Sequence, residues 1–218
     1  MRRKFGNIYL AWRKGAGKRR HIVGVLKQTA IEGVRFSYFK DLDKASEEGF
    51  VTYTEFPKTN EIYTKEVLNI FSQRLIKAER ADIGDFLRFW EIDEKMLDDK
   101  LYLLAHTQGL SPLDNFEFLA DFNPVKKLCF VSELAGLTHL QLSPFSVKTG
   151  DKLRFEYEPS NEKDIFAIKV FKDTLFIGYI KKVHNKVFHK KNGSKLKIAV
   201  KAVDFNGVIK RVFIRISF

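Results

Sequence analysis

The spacing of apolar side chains changes character twice along this chain. Ile8 to Trp12, His21 to Leu26 and Val34 to Tyr38 are short apolar or alternating runs, which predict three strands. The first two are joined by RKGAGKRR, a basic hairpin loop. From Tyr63 the period lengthens. Tyr63, Val67, Ile70 and Phe71 fall at i, i+4, i+7 and i+8, one face of a helix running towards Lys77. Asp82 reads as the N-cap of a second helix with Ile83, Phe86, Leu87 and Trp90 on one side. Asp93 opens a third helical pattern through Met96, Leu97, Leu101, Leu104 and Ala105. Gly109 ends it, because glycine adopts the left-handed C-cap at little cost.

From Leu128 onward the pattern returns to β. Asn206-Gly207 and Asn192-Gly193 each predict a type I′ hairpin turn. The strands around them alternate apolar residues with Lys197, Lys201, Lys210, Arg211 and Arg215, so one face is expected buried and the other basic. Residues 155–182, FEYEPSNEKDIFAIKVFKDTLFIGYIKK, read as strand, polar turn, apolar strand, tight turn and a third strand closed by Gly178 and Tyr179. Pro159, Asn161 and Asp164 shape the polar turn, since such side chains hydrogen-bond a tight backbone. The run Ile165–Ile168 that follows is expected to be a buried strand. A short helix, Val183 to Phe188, then places Lys181, Lys182 and Lys186 near the Gly178-Tyr179 corner. These elements predict an α+β protein: strands and a small helical bundle over residues 1–127, then a C-terminal β-barrel over 128–218.

Charge sharpens the picture. The 218 residues carry a net charge of +12, unevenly spread. Residues 1–24 hold eight Lys/Arg and no acid, and residues 145–218 hold 17 against 7, whereas the middle holds 14 against 20. Two basic segments of this kind suit polyanionic partners. A single cysteine, Cys129, excludes an internal disulfide and a multi-cysteine metal site. His21, His106, His139, His184 and His189 lack metal-ligand spacing, so neither metal nor cofactor is expected. Gly15 to Lys18 lacks the spacing of a phosphate loop, and no serine sits in a nucleophile elbow, so the expectation is a non-enzymatic protein. No apolar run approaches a membrane span, and the basic N-terminus has no secretory cleavage pattern, which points to the cytoplasm and away from a membrane.

The order E-P-x-N-x-x-D-x-x-A-I-x-V at 158–170, followed by I-G-Y-I at 177–180, resembles the signature of HIRAN domains. That resemblance, over roughly residues 130–218, implies an OB-like barrel that binds single-stranded DNA, including a free 3′ end. Transferred to this chain, it makes Asn161, Lys163, Asp164, Tyr179, Lys181, Lys182 and Lys186 nucleic-acid-binding residues. Asn161 and Asp164 would accept from a sugar hydroxyl, or alternatively cap their own turn. Tyr179 is the foremost stacking platform, ahead of Phe155, Phe166 and Phe188. The chain departs from the family where Gly136 is followed by Leu137, Thr138 and His139, and where Lys163 replaces an aromatic residue. His139 is the residue that could stack in place of those missing rings.

The first half has a likeness of its own. V-G-V-L at 23–26, F-S-Y at 36–38, Y-x-x-x-V-L-x-I-F-x-x-R-L at 63–75 and L-L-A-H-T-Q-G at 103–109 resemble the N-terminal subdomain of HipA-type toxin kinases. No catalytic H-x-D-x-x-x-x-N or D-F-G sequence accompanies it. The resemblance therefore implies a regulatory or antitoxin-like subunit of a split toxin–antitoxin system, with a separate HipA-like kinase subunit as partner.

Overall fold

The computed structural model describes residues 4–31, 33–77 and 79–218. Arg2 and Arg3, part of the basic first segment, lie outside the described residues. The chain divides into two compact units, one of residues 5–88 and 92–121, the other of Lys4, Phe89–Glu91 and Phe122–Phe218. The change of unit after Asp121 falls a few residues before the expected boundary at 127/128.

In the first unit, β1 (Phe5–Trp12), β2 (His21–Thr29) and β3 (Gly33–Tyr38) form an antiparallel meander where the apolar runs predicted it. A short helix α1 (Asp43–Glu47) follows. Tyr63 then departs from expectation: it lies in β4 (Ile62–Tyr63), opposite Phe36, and the helix α2 spans only Val67–Ser72. Glu66, in the left-handed region at φ 56°, separates the two, so the helical spacing back to Tyr63 was coincidental. Helix α3 (Ile83–Trp90) follows Asp82 as predicted, with the Asp82 carbonyl accepting the Phe86 N–H at 3.2 Å. The third helical pattern splits. Asp93 caps a 3₁₀ turn over Glu94–Met96, and Asp99 caps α4 (Lys100–Thr107) through the Tyr102 N–H. An unanticipated strand, β5 (Phe116–Phe122), completes the sheet in the order β4-β3-β2-β1-β5.

The abundance of phenylalanine is explained by the packing of this unit. Phe71 touches Phe36, Phe56 and Phe118 at centroid distances of 5.2, 4.9 and 4.9 Å, and all four rings are buried. Each such ring removed from water contributes about 1.5–3 kcal/mol before packing terms.

The second unit contains β6 (Cys129–Ala135), β7 (Lys152–Tyr157), β8 (Ile168–Lys172), β9 (Leu175–Ile180), a one-turn helix α5 (Lys186–His189), β10 (Lys197–Asn206) and β11 (Val208–Ser217). These strands hydrogen-bond in the order β10-β11-β6-β9-β8-β7, and β7 returns to β10, closing an antiparallel barrel. Phe130, Ile168, Val170, Ile177, Val212 and Ile214 are fully buried within this unit. A hairpin forms at Asn206-Gly207, but not as the type I′ turn expected: Asn206 pairs with Val208 and lacks a positive φ, and Gly207 alone turns the chain, at φ +69°.

Asn192-Gly193 makes no hairpin. It leads into a 3₁₀ turn over Gly193–Lys195, and a Cβ on Gly193 would lie 2.2 Å from the Phe188 carbonyl oxygen. Glycine is needed there for close approach, which explains the misleading dipeptide. The apolar run after the polar turn is also misleading. The Ala167 N–H is held by the Asp164 carbonyl, so the turn extends through Ala167 and β8 begins at Ile168. Ile165 and Phe166 are consequently 66% and 41% exposed rather than buried. No helix among the described residues is long and apolar enough to cross a membrane.

Candidate binding cleft

Two small hydrogen-bond networks hold the polar turn between β7 and β8. Glu158 is the centre of the first. Its carboxylate accepts from Lys169 Nζ at 2.5 Å and from Asn161 Nδ2 at 2.7 Å, and it also engages the Tyr179 hydroxyl. The Lys169 contact, then Asn161, holds the Glu158 carboxyl below the usual range. Burial first, then the hydrogen bond to Glu158, raises the Tyr179 phenol. Asn161 Oδ1 in turn accepts the N–H groups of Lys163 and Asp164 at 3.0 and 3.1 Å. Asn161 therefore caps its own turn with both ends of its amide.

Asp164 is the centre of the second network. Its Oδ1 accepts the Phe166 N–H at 3.0 Å, and its Oδ2 accepts Asn185 Nδ2 at 2.7 Å. The same Asn185 nitrogen reaches the Phe166 carbonyl at 2.9 Å. His189 Nε2 lies 3.2 Å from that carbonyl, which can only accept, so the proton sits on Nε2. The His189 ring meets Phe166 and Tyr157 edge to face at 5.2 and 5.0 Å. One turn of chain is thus stapled to α5 and its approach, and it presents Phe166 outward.

Between these pieces lies a cleft of about 400 Å³, lined by Glu162, Lys163, Asp164, Ile165, Phe166, Lys182, Asn185 and Lys186. That volume falls within the range of about 300–1,000 Å³ usual for small-ligand sites. Lys163 and Lys182 are exposed and Lys186 is half-buried. Three lysines, two carboxylates of which Asp164 is held in place, and an open aromatic ring line one cleft, which can take a ligand that is anionic at one end and hydrogen-bond-donating at the other.

The expected site residues are distributed unequally over this geometry. Lys163, Asp164, Lys182 and Lys186 line the cleft together. Asn161 and Tyr179 belong to the Glu158 network and are not among the lining residues. Lys181 has to be corrected. It is fully buried, with its Nζ 3.6 Å from Glu133 Oε2, so it cannot meet a phosphate on the surface. The strand end turns alternate residues to opposite sides, and Lys182 is the outward one. His139 is exposed on a 3₁₀ turn over Leu137–His139 and is not among the lining residues.

Among the candidate platforms, Phe188 is buried and Phe155 packs against it at 4.7 Å, while Tyr179 is half-buried beside Phe176 at 5.2 Å. Phe166 is the open ring. Asn185, Glu162 and Ile165 were not anticipated as lining residues. Asn185 had no local signal, because its role depends on the fold bringing it against Asp164.

The basic strand face is less available than its sequence suggested. Lys201 and Arg215 both bind Glu91, at 2.6 and 3.2 Å, and Arg211 binds Glu133 at 2.9 Å. On β7 and β8, Lys172 binds Asp151 at 2.7 Å, and Arg154 pairs with Glu156 while lying 4.1 Å over the Phe171 ring. Cys129 is half-buried, and burial, with the Glu91 charge adding to it, pushes its thiol up to about 11. A thiol held protonated at neutral pH is a poor nucleophile. Among the described residues there is no cluster of three or more His, Cys, Asp or Glu side chains able to hold a metal ion. No protein-family model, curated protein or solved structure matches the chain.

Proposed function

We propose that the second unit is a HIRAN-like barrel of OB-like type that binds single-stranded DNA in the cytoplasm, without acting on it chemically. One observation carries this reading: the cleft that Lys163, Lys182 and Lys186 line together with Asp164 and the exposed Phe166 ring. A single strand needs cations for its phosphates and a π-face for a base, and one stacked base contributes about 1–3 kcal/mol. Asp164 suits a sugar hydroxyl better than a phosphate. Each of its oxygens already accepts one hydrogen bond, and a carboxylate has about four acceptor sites, so capacity remains for a donor such as a terminal 3′-OH.

Fluorescence anisotropy with short labelled oligonucleotides, free or blocked at the 3′ end, tests the reading. Binding should weaken as salt rises, and Lys163→Glu combined with Lys182→Glu should weaken it at least tenfold while leaving the thermal unfolding midpoint in place. Absence of salt-dependent binding to any strand would overturn the proposal. Equal affinity for free and blocked ends would remove end recognition and leave backbone binding.

A further inference from the structure

The loop between β1 and β2 concentrates charge that the fold does not use. Residues 13–20, RKGAGKRR, lie between the paired residues Trp12 and His21 and hold five Lys/Arg and no acid. The base of the loop is anchored. The Arg13 N–H donates to the Asn115 carbonyl at 3.3 Å, and the Arg20 guanidinium pairs with Glu117, which is 1% exposed. The tip folds back on itself: the Lys18 N–H donates to the Gly15 carbonyl at 3.2 Å, with Gly17 at φ +74°. Lys14, Lys18 and Arg19 are exposed here, and none has a hydrogen-bond or ion-pair partner among the described residues. Arg19 is singular in this respect, because every other described arginine has a partner. An unpaired guanidinium offers five N–H donors in a planar fork that matches a phosphate. Three like charges on one turn repel one another, a cost that an anionic ligand offsets.

We infer that this tip is a second nucleic-acid site, one that grips the phosphates of a duplex. The ligand class follows from what the tip lacks. Residues 13–20 contain no aromatic side chain, so an unstacked base finds no platform there, in contrast to Phe166 in the cleft. A duplex keeps its bases stacked and carries one charge per about 1.7 Å of axis, twice the density of either of its strands. It is the polyanion that cations without a ring hold best. A membrane surface fits less well, because a segment lying on lipid buries large apolar side chains, and this tip is Gly15, Ala16 and Gly17. The same small residues let a duplex backbone approach closely. Arg19 takes one phosphate through its fork, with Lys14 and Lys18 on neighbouring phosphates as point charges. Contacts of this kind position a protein on a duplex without reading its sequence. The loop site stands independently of the cleft, which belongs to the other unit.

The test uses the full chain and a labelled blunt duplex with both 3′ ends blocked. Three contacts at a slope of about −0.9 each should weaken binding about 40-fold between 50 and 200 mM salt. The triple variant Lys14→Ala, Lys18→Ala, Arg19→Ala should flatten that slope by about 2.7 and weaken duplex binding at least tenfold at the lower salt. Short single strands should bind the variant as they bind the native chain, and thermal unfolding checks that its fold is intact. Duplex binding that the triple variant leaves unchanged overturns the proposal, as does a native chain with no salt-dependent duplex binding. Phosphatidylserine vesicles bound as tightly as the duplex, and released by the triple variant, would assign the loop to a membrane instead. Single strands held more tightly than duplex through the same three residues would overturn the duplex preference. If short strands fail to bind and the duplex binds through the loop, the cleft reading falls and the loop site stands.

Discussion

Gly178 is a position where one added methyl group would strain the strands of the barrel directly. It lies inside β9 at φ +129°, and a Cβ there would sit 2.7 Å from the Ala135 carbonyl oxygen of β6. The contact is with backbone, so no side-chain rotation relieves it. Gly178→Ala should therefore lower the unfolding free energy by about 1–3 kcal/mol, combining backbone strain with local displacement of the β6–β9 pair. Urea denaturation measures this, and an unchanged midpoint would contradict it. Other residues near Gly178 were only partly legible from sequence. Asn161 and Asp164 were recognisable as turn-formers because their side chains bond nearby backbone whatever the tertiary context. Lys181 and Lys182 were indistinguishable, because the carboxylate that draws Lys181 inward, Glu133, is supplied by a strand distant in sequence. The same holds for Asn185, whose partners come from the turn before β8.

At the scale of elements, the connection between α2 and β5 depends on one cation. Arg74, just beyond α2, makes a two-pronged contact with Asp114 at 2.5 and 2.8 Å, and its Nε donates to the Gly109 carbonyl at 2.8 Å. Its side chain is 5% exposed. Removing it leaves a partly buried carboxylate without its counter-ion and the Gly109 carbonyl without this donor, so Arg74→Ala should cost about 3 kcal/mol. Burial acts to raise the Asp114 carboxyl, but Arg74 and the Phe116 N–H outweigh it and hold it below the usual range. A carboxyl lowered in the folded state stabilises above its unfolded pKa and loses that contribution as pH falls through the folded value. The penalty of Arg74→Ala should thus be largest near neutral pH and shrink below the ordinary carboxylate range, as thermal unfolding across pH would record. An equal penalty at both extremes would sink the assignment. Strands whose apolar runs pair with their sequence neighbours, β1 to β3 and β10 with β11, were legible because turn chemistry and periodicity agree there. The reach of α2 and the existence of β5 were not. Tyr63 fits a helical face equally well, and only its pairing with Phe36 selects the strand.

For the whole molecule, the net charge overstates what a polyanion would meet. Lys169, Lys172, Lys201, Arg154, Arg211 and Arg215 each have a carboxylate partner. Binding through the cleft would engage chiefly Lys163, Lys182 and Lys186, and each phosphate neutralised on a single strand steepens the plot of log affinity against log salt by about 0.7. Three contacts give a slope of roughly −2. A markedly steeper slope would mean that the exposed Lys14, Lys18 and Arg19 of the loop between β1 and β2 also bind. Lys182→Ala, which removes one positive charge, then separates the alternatives. It should flatten the slope by about 0.7 and weaken oligo(dA) and oligo(dT) by the same factor, since a lysine that meets phosphate carries no base information. A slope that Lys182→Ala leaves unaltered would place the strand elsewhere on the protein and exclude the cleft as its site.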